Sequence, residues 1–487
     1  MRKVRRQQLQ FGQADIGQIQ FDPRSRDDIP QLLRGLQYIY TTPAVRAEVF
    51  RILEELAARR ANPGTGRPGL DLWKVLVMGT LRLNLNWDYD RLQNQVNYHS
   101  LIRQMLGHGP YDDEGQYKLQ TLKDNVGLLT EEALDRINQA VVRAGHVVLK
   151  KNGAGLEGRC DSFVVKTDVH FPTDISLLWD ALRKAVELMA RLAEAAGLPG
   201  WRKSKYWLRE LKRLCRAAQQ AKRSTSSDPA KQTRKEAAVR AAHEAYLVRG
   251  AEVLARVAAT AAVLEKRGEA DLAEVERFAG HARRQLDQVR RRVLGGETIP
   301  HGEKVFSVFE PHTEWISKGK AGVPVELGLR VCVLEDQFGF ILHHRVMARE
   351  TDDQVAVPMA EAARERFANL RSCSFDKGFH SPANQARLRA ILDRVVLPRK
   401  GKLSQAARAE EHEAGFVRAR RRHSAVESAI NALEVHGLDR CPDHGRDGFE
   451  RYVALAVVSR NLQKLGAILL KQEARALRRR QQRLRAA

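Results

Sequence analysis

Apolar residues recur at the spacing of an α-helix through much of residues 1–150. Leu72, Leu76, Gly79 and Leu83 follow one another at intervals of four, three and four positions, which predicts one apolar helix face. We therefore predict a compact helical domain over residues 1–150.

Helical spacing returns at about residue 174 and continues to about residue 293. Beyond Pro229, apolar positions keep heptad spacing on both sides of Gly268, which predicts two antiparallel helices packed like a coiled coil. We predict a helical insertion over residues 174–300. The Arg and Lys residues beside its apolar seam fit a solvated face and a DNA-contacting face equally well.

Strand patterns surround this insertion. Segment 151–173 contains a β-branched run that begins at Asp161, and residues 325–333 alternate between apolar and other side chains, which predicts a half-buried strand. A turn at residues 336–339 then predicts a β-hairpin.

The remaining pattern predicts a helix, a strand that ends before Asp376, a helix begun by Ser381 and Pro382, a strand over residues 394–398, and a helix with Glu427 at its middle. Without the insertion, these elements form a mixed α/β fold in which helices flank a mixed β-sheet. Residues 301–470 would then complete the domain that segment 151–173 begins.

The charge balance indicates a polyanionic partner. Lys and Arg number 83 against 59 Asp and Glu, a net charge of +24. Residues 471–487 alone carry seven Lys or Arg and one Glu, which predicts a frayed helix or a nucleic-acid-binding tail.

Cysteine usage and hydropathy argue against a disulfide-rich secreted protein, a thiolate zinc protein and a membrane-spanning protein. Five widely spaced cysteines without a CxxC pair favour neither a disulfide framework nor a thiolate zinc site. No uninterrupted apolar run approaches the length of a membrane span. We predict a cytoplasmic protein with no membrane partner.

Three carboxylates in distinct local contexts are the candidate catalytic and metal-binding residues: Asp161, Asp376 and Glu427. Hard cations such as Mg²⁺ or Mn²⁺ take oxygen ligands from a few carboxylates, waters and substrate phosphates, so this set suits phosphoryl transfer with two metal ions. Asp168 is the alternative to Asp161. Its odd offset of seven residues would place it on the opposite face of one continuous strand.

Several ordered blocks resemble bacterial insertion-sequence DDE transposases, and the chain is most similar to the ISNCY-type group. The resemblance covers roughly residues 66–466 and is carried by residues 161–174, 309–320, 375–381, 425–430, 437–441 and 461–462. It implies an RNase H-like catalytic domain, divalent metal, and terminal inverted repeats as substrate. It also favours Asp161 over Asp168 as the first ligand, and it implies a bacterial protein that is nucleoid-associated when bound to DNA.

A basic cluster stands just before Glu427 and is the predicted DNA-contacting surface: Arg418, Arg420, Arg421, Arg422 and His423. We expect a DNA transposase that cleaves a strand and transfers its 3′-hydroxyl into target DNA. Joining two ends implies a homodimer or a larger assembly. The alternatives are a catalytically inactive DNA-binding relative and an RNase H-like nuclease without strand transfer.

Overall fold

The chain folds into two compact units. The computed structural model describes residues 3–5, 12–58, 69–109, 115–222, 228–268, 271–317 and 324–486. The first unit comprises residues 1–168 and 328–487, and the second comprises residues 169–327. The second unit therefore interrupts the first in sequence, as the predicted insertion does, with boundaries at 169 and 327 instead of 174 and 300.

Helices make up most of the described chain. In order they are α1 (Asp28–Thr41), α2 (Pro43–Ala58), α3 (Leu72–Asn84), α4 (Tyr89–Tyr98), α5 (Ser100–Met105), α6 (Leu119–Val126), α7 (Glu131–Val148), α8 (Asp174–Ala195), α9 (Ser204–Ala221), α10 (Pro229–Arg267), α11 (Ala273–Val289), α12 (Asp352–Arg366), α13 (Pro382–Ile391), α14 (Gln405–His412), α15 (Ala414–His423), α16 (Ala425–Leu433) and α17 (Gly445–Ala486).

One mixed sheet accompanies them. Its strands are β1 (Leu156–Thr167), β2 (Glu314–Ser317), β3 (Val325–Glu335), β4 (Ile341–Val346), β5 (Leu370–Phe375), β6 (Arg394–Val396) and β7 (Arg440–Cys441). The strand order is β2-β3-β1-β5-β6, with β4 beside β3 and β7 beside β1. Strand β3 runs antiparallel to β1 and β4, whereas β5 runs parallel to β1 and β6. The predicted mixed α/β fold is confirmed, including the hairpin β3–β4.

The sheet is covered by helices on both faces. Side chains of a strand alternate between its two faces, so Ser162 and Arg159, three positions apart on β1, point to opposite faces of the sheet. Ser162 Oγ donates a hydrogen bond to Asp352 of α12, and Arg159 Nη1 donates one to the Arg422 carbonyl of α15. The prediction that β3 is half-buried is therefore wrong over residues 331–335, which are buried on both faces.

The predicted N-terminal domain over residues 1–150 is not a separate unit. Helices α1, α3 and α7 pack against α17, and their apolar residues share one core with the sheet. Helix α3 is buried nearly all round instead of along the single predicted face. The reason is that α17 lies far away in sequence, and local periodicity carries no information about a distant partner.

The predicted C-terminal tail is the last part of helix α17 and not a separate segment. The boundary expected at residue 471 falls inside this helix, which continues to Ala486 while its side chains become mostly exposed. By length and composition, α17 is the one described helix that could cross a membrane, but 78% of its most apolar window is buried in the protein. That burial is typical of a core helix in a soluble protein.

The second unit is a helical bundle with its own core. Helices α10 and α11 are the pair predicted on either side of Gly268, which ends α10 in the left-handed conformation at φ +66°. Helices α8 and α9 complete the bundle, and the core includes Leu182, Tyr246 and Phe278. The predicted pair is thus part of a larger bundle, because α10 and α11 pack against α8 as well as against each other, and α10 also packs against α9.

Candidate active site

Strand register brings Asp161 and Asp376 to neighbouring positions. Cys160 of β1 pairs with Phe375, the last residue of the parallel strand β5. The next residues along the two strands are Asp161 and Asp376, and paired positions of parallel strands point to the same face. Asp376 then caps a short 3₁₀ turn, and its Oδ2 accepts a hydrogen bond of 3.3 Å from the Gly378 amide.

Glu427 reaches the site from a helix terminus. The prediction that it lies at the middle of a helix is wrong, because α15 ends at His423 and α16 begins at Ala425. Glu427 lies in the first turn of α16 and is exposed. A carboxylate there is favoured by the positive end of the helix dipole.

Electrostatics link the three predicted carboxylates. Burial, the largest cause, and the charges of Asp376, Asp352 and Glu427 together raise the pKa of Asp161 to about 6, against a hydrogen bond from the Ser162 amide that lowers it. Carboxylates whose charges raise the pKa of Asp161 must lie close to it, without enough positive charge nearby to compensate them. The structure thus groups Asp161, Asp376 and Glu427, which are distant in sequence.

Asp352 is a fourth carboxylate of this group, and sequence reasoning missed it. It lies in the first turn of α12 and accepts a hydrogen bond of 2.6 Å from Ser162 Oγ. A Cβ atom on Gly378 would lie 3.1 Å from Asp352 Oδ2 and 3.6 Å from Asp376 Oδ2, so both carboxylates flank the same point. In the sequence, Asp352 resembles any acidic residue at a helix start, so no local signal marks it.

Asp168, the alternative first ligand, lies away from this group. It follows the end of β1, is exposed, and forms an ion pair of 3.4 Å with Arg440. Seven residues of extended strand separate it from Asp161 by roughly 23 Å at about 3.3 Å per residue. Asp161, and not Asp168, is the aspartate beside Asp376.

His423, at the end of α15, is linked to strand β5 by a side-chain hydrogen bond. Its Nδ1 lies 3.0 Å from Ser374 Oγ on β5. Burial lowers the pKa of His423, and the nearby charges of Asp376 and Glu427 act in the opposite direction. A lowered pKa keeps this imidazole neutral near pH 7, so His423 is suited to hydrogen bonding more than to pairing with phosphate.

The predicted DNA-contacting arginines are exposed along α15: Arg418, Arg420, Arg421 and Arg422. Arg418 and Arg422 line a cleft of about 340 Å³ together with Arg159 and Arg394. Glu157 also lines this cleft and forms an ion pair of 3.6 Å with Arg422. The cleft therefore has an excess of positive charge beside His423 and Ser374.

The donor set is compatible with a hard cation that keeps part of its own solvent. Among the described residues, no three His, Cys, Asp or Glu side chains are arranged to hold a metal ion by themselves. Magnesium is usually bound through one or two carboxylates plus waters and substrate phosphates. A cation beside Asp161, Asp376 and Glu427 would also relieve the repulsion that raises the pKa of Asp161.

No protein-family model, no curated protein and no solved structure matches this chain.

Proposed function

We propose that this protein is an insertion-sequence DNA transposase that cleaves and rejoins DNA strands with two divalent metal ions, Mg²⁺ or Mn²⁺. The observation that carries the proposal is the convergence of Asp161, Asp376 and Glu427. Parallel register brings the two aspartates together, and the charge of Glu427 acts on the same carboxylate. A large net positive charge supports DNA as the substrate.

The sheet supports an RNase H-like catalytic domain. An antiparallel hairpin and two parallel strands surround β1, and the helices follow in the order that the sequence pattern predicts. The helical unit over residues 169–327 directly follows β1, which carries Asp161, where helical periodicity predicts an insertion.

The residues of the site fall into three groups with different roles in this proposal. Asp161, Asp376 and Glu427 would hold the metal ions, which supply activation of water and stabilisation of the leaving oxygen. The arginines of α15 neutralise backbone phosphates and fix the path of the strand. His423, hydrogen-bonded to Ser374, is a neutral group close enough to Asp376 and Glu427 for their charges to act on its pKa.

The substrates would be terminal inverted repeats and target DNA, in the bacterial cytoplasm. Joining two ends in concert requires two active sites, so the working form would be a homodimer or a larger assembly on DNA. No membrane is involved.

The test compares single carboxylate variants on DNA that carries the inverted repeats flanking the open reading frame. Asp376→Asn and Glu427→Gln should abolish Mg²⁺-dependent strand cleavage and leave DNA binding nearly unchanged, because binding rests on Lys and Arg contacts to phosphate. Asp168→Asn is the matched control and should cleave normally.

Gel assays of nicked and joined products separate the alternatives. Cleavage without a joined product would favour a nuclease, and metal-independent binding with no cleavage by the wild type would favour an inactive DNA-binding relative. Parallel loss of binding and cleavage in the variants would assign the carboxylates a folding role.

A further inference from the structure

A second positively charged cleft lies beside the loop that follows Asp376, because Lys400 in its lining donates a hydrogen bond to Gly378. It has a volume of about 480 Å³ and is lined by His380, Arg399, Lys400, Lys402, Leu403, Ser404, Ala406, Ala407 and Glu410. None of its cations belongs to the basic cluster of α15. Three basic side chains and one carboxylate give the lining an excess of positive charge.

The single carboxylate in this lining is already neutralised. Glu410 forms an ion pair with Arg389, and its other oxygen accepts a bond of 2.7 Å from Arg399. Lys400 Nζ donates to the neutral carbonyl of Gly378 at 2.7 Å, so its charge is not cancelled by that contact. Lys402 is exposed at the cleft. The positive charge of Lys400 and Lys402 is therefore available to an anion.

Hydrogen-bond donors of the backbone and of a histidine ring also favour anion binding in this cleft. Ser404 caps α14, whose first-turn residues Ala406 and Ala407 line the cleft, and the amino end of a helix attracts anions. His380 Nδ1 accepts a hydrogen bond of 3.3 Å from the Lys400 amide, so the neutral ring carries its hydrogen on Nε2, a donor. The nearby charges of Arg399 and Lys400 add to burial in lowering the pKa of His380.

The cleft is joined to the catalytic loop. Lys400 Nζ bonds the carbonyl of Gly378, and the amide of the same glycine bonds Asp376. An anion held at Lys400 would thus lie beside Gly378, two residues after the candidate metal ligand Asp376. A DNA strand carries a phosphate at every nucleotide, so a strand bound at Asp376 has further phosphates available for this cleft.

We propose that this cleft binds a backbone phosphate of the DNA strand that enters the active site, through Lys400, Lys402 and the amino end of α14. The proposal rests on the proposed function and adds a phosphate subsite that the basic cluster of α15 does not supply. It is a positioning site, since none of its side chains reaches the reacting atoms.

The test measures DNA binding by the full-length protein without divalent metal. Fluorescence anisotropy with a random-sequence duplex in EDTA gives the affinity over a range of KCl concentrations. The logarithm of the affinity falls with the logarithm of salt by about 0.9 for each neutralised phosphate. The variants are Lys402→Gln, Lys400→Gln/Lys402→Gln, and Lys400→Arg/Lys402→Arg. Arg408→Gln is the matched control, an exposed cation of α14 outside the cleft lining.

The double glutamine variant should lower the salt slope by about 0.9 for each lost phosphate contact, Lys402→Gln by the same amount or less, and the double arginine variant should retain the wild-type slope. Arg408→Gln should leave the slope unchanged. An unchanged slope in the double glutamine variant, or an equal decrease in Arg408→Gln, overturns the cleft as a phosphate site.

These outcomes are separate from those of the catalytic proposal. Asp376→Asn should bind with the full wild-type slope in EDTA, although it cannot cleave. Failure of the wild type itself to bind DNA would overturn the proposed function, whereas normal wild-type binding with an unaffected double variant overturns the cleft alone.

Discussion

Asp161 destabilises the folded protein whenever it is ionised. Burial and three neighbouring carboxylates raise its pKa from an ordinary value of 3.8 to about 6. The folded protein then binds this proton more tightly than the unfolded chain does, so stability falls as the pH rises from about 4 to about 6 and stays low above that range. At about 1.36 kcal/mol per unit, the cost is on the order of 3 kcal/mol.

Asp161→Asn should therefore stabilise the metal-free protein near pH 8. The amide cannot ionise, so the variant avoids the cost that the wild type carries above pH 6. Thermal unfolding followed by circular dichroism in EDTA should show a higher melting temperature near pH 8, and a smaller or absent gain near pH 4. Asp168→Asn, at an exposed position, should show no such gain. An equal shift at both pH values would contradict the assigned pKa.

The first unit depends on a close approach between α1 and α17. A Cβ atom on Gly466 would lie 1.7 Å from the Gln31 carbonyl oxygen, and one on Gly35 would lie 2.2 Å from the Leu462 carbonyl oxygen. Both neighbours are backbone atoms, which cannot rotate away. Helices α1 and α17 must therefore separate to accept any larger side chain.

Gly466→Ala should cost about 1–3 kcal/mol of unfolding free energy, because an extra methyl group forces a backbone shift in a packed core. Urea denaturation gives this value directly. Gly448→Ala is the matched control on the same helix, where the nearest atom would lie 3.5 Å from the new Cβ, an ordinary contact. It should be neutral or stabilising by about 0.5–1 kcal/mol. A similar loss in both variants would assign the effect to helix α17 itself.

At the scale of the whole molecule, the two units differ in how far they depend on distant sequence. The second unit is one continuous segment with its own core. The first unit is assembled from two separated segments, and its N-terminal helices bury their apolar faces against α17.

A fragment of residues 169–327 should therefore fold alone, with a mainly helical circular dichroism spectrum and cooperative thermal unfolding. A fragment of residues 1–150 should not unfold cooperatively, because it lacks the helix that covers α3 and α7. Cooperative unfolding of the 1–150 fragment would restore the separate domain that the sequence pattern predicts. A non-helical spectrum for the 169–327 fragment would contradict the autonomy of the second unit.

Local patterns were enough to predict much of the fold. The strand at β3, the cap at Ser381, the break at Gly268 and the order of elements around Asp376 depend on neighbours within a few residues, and the structure agrees with each. The burial of both faces in the second half of β3, and of nearly all of α3, was missed. Burial depends on which elements cover a segment, and periodicity reports only one face.

For the candidate site too, some features follow from the local sequence and others only from the tertiary structure. The sequence by itself determined that the chain is basic, that it combines helices with a mixed sheet, that Asp161 lies in a strand and that Asp376 directly follows one. Only the tertiary structure decided that these two are neighbours, that Glu427 lies in the first turn of a helix, and that Asp352 and the cleft at Lys400 and Lys402 border the same loop. The physical reason is that strand register and helix packing join residues hundreds of positions apart, and the pKa shifts and charge clusters arise from the burial and the close approach that this packing creates.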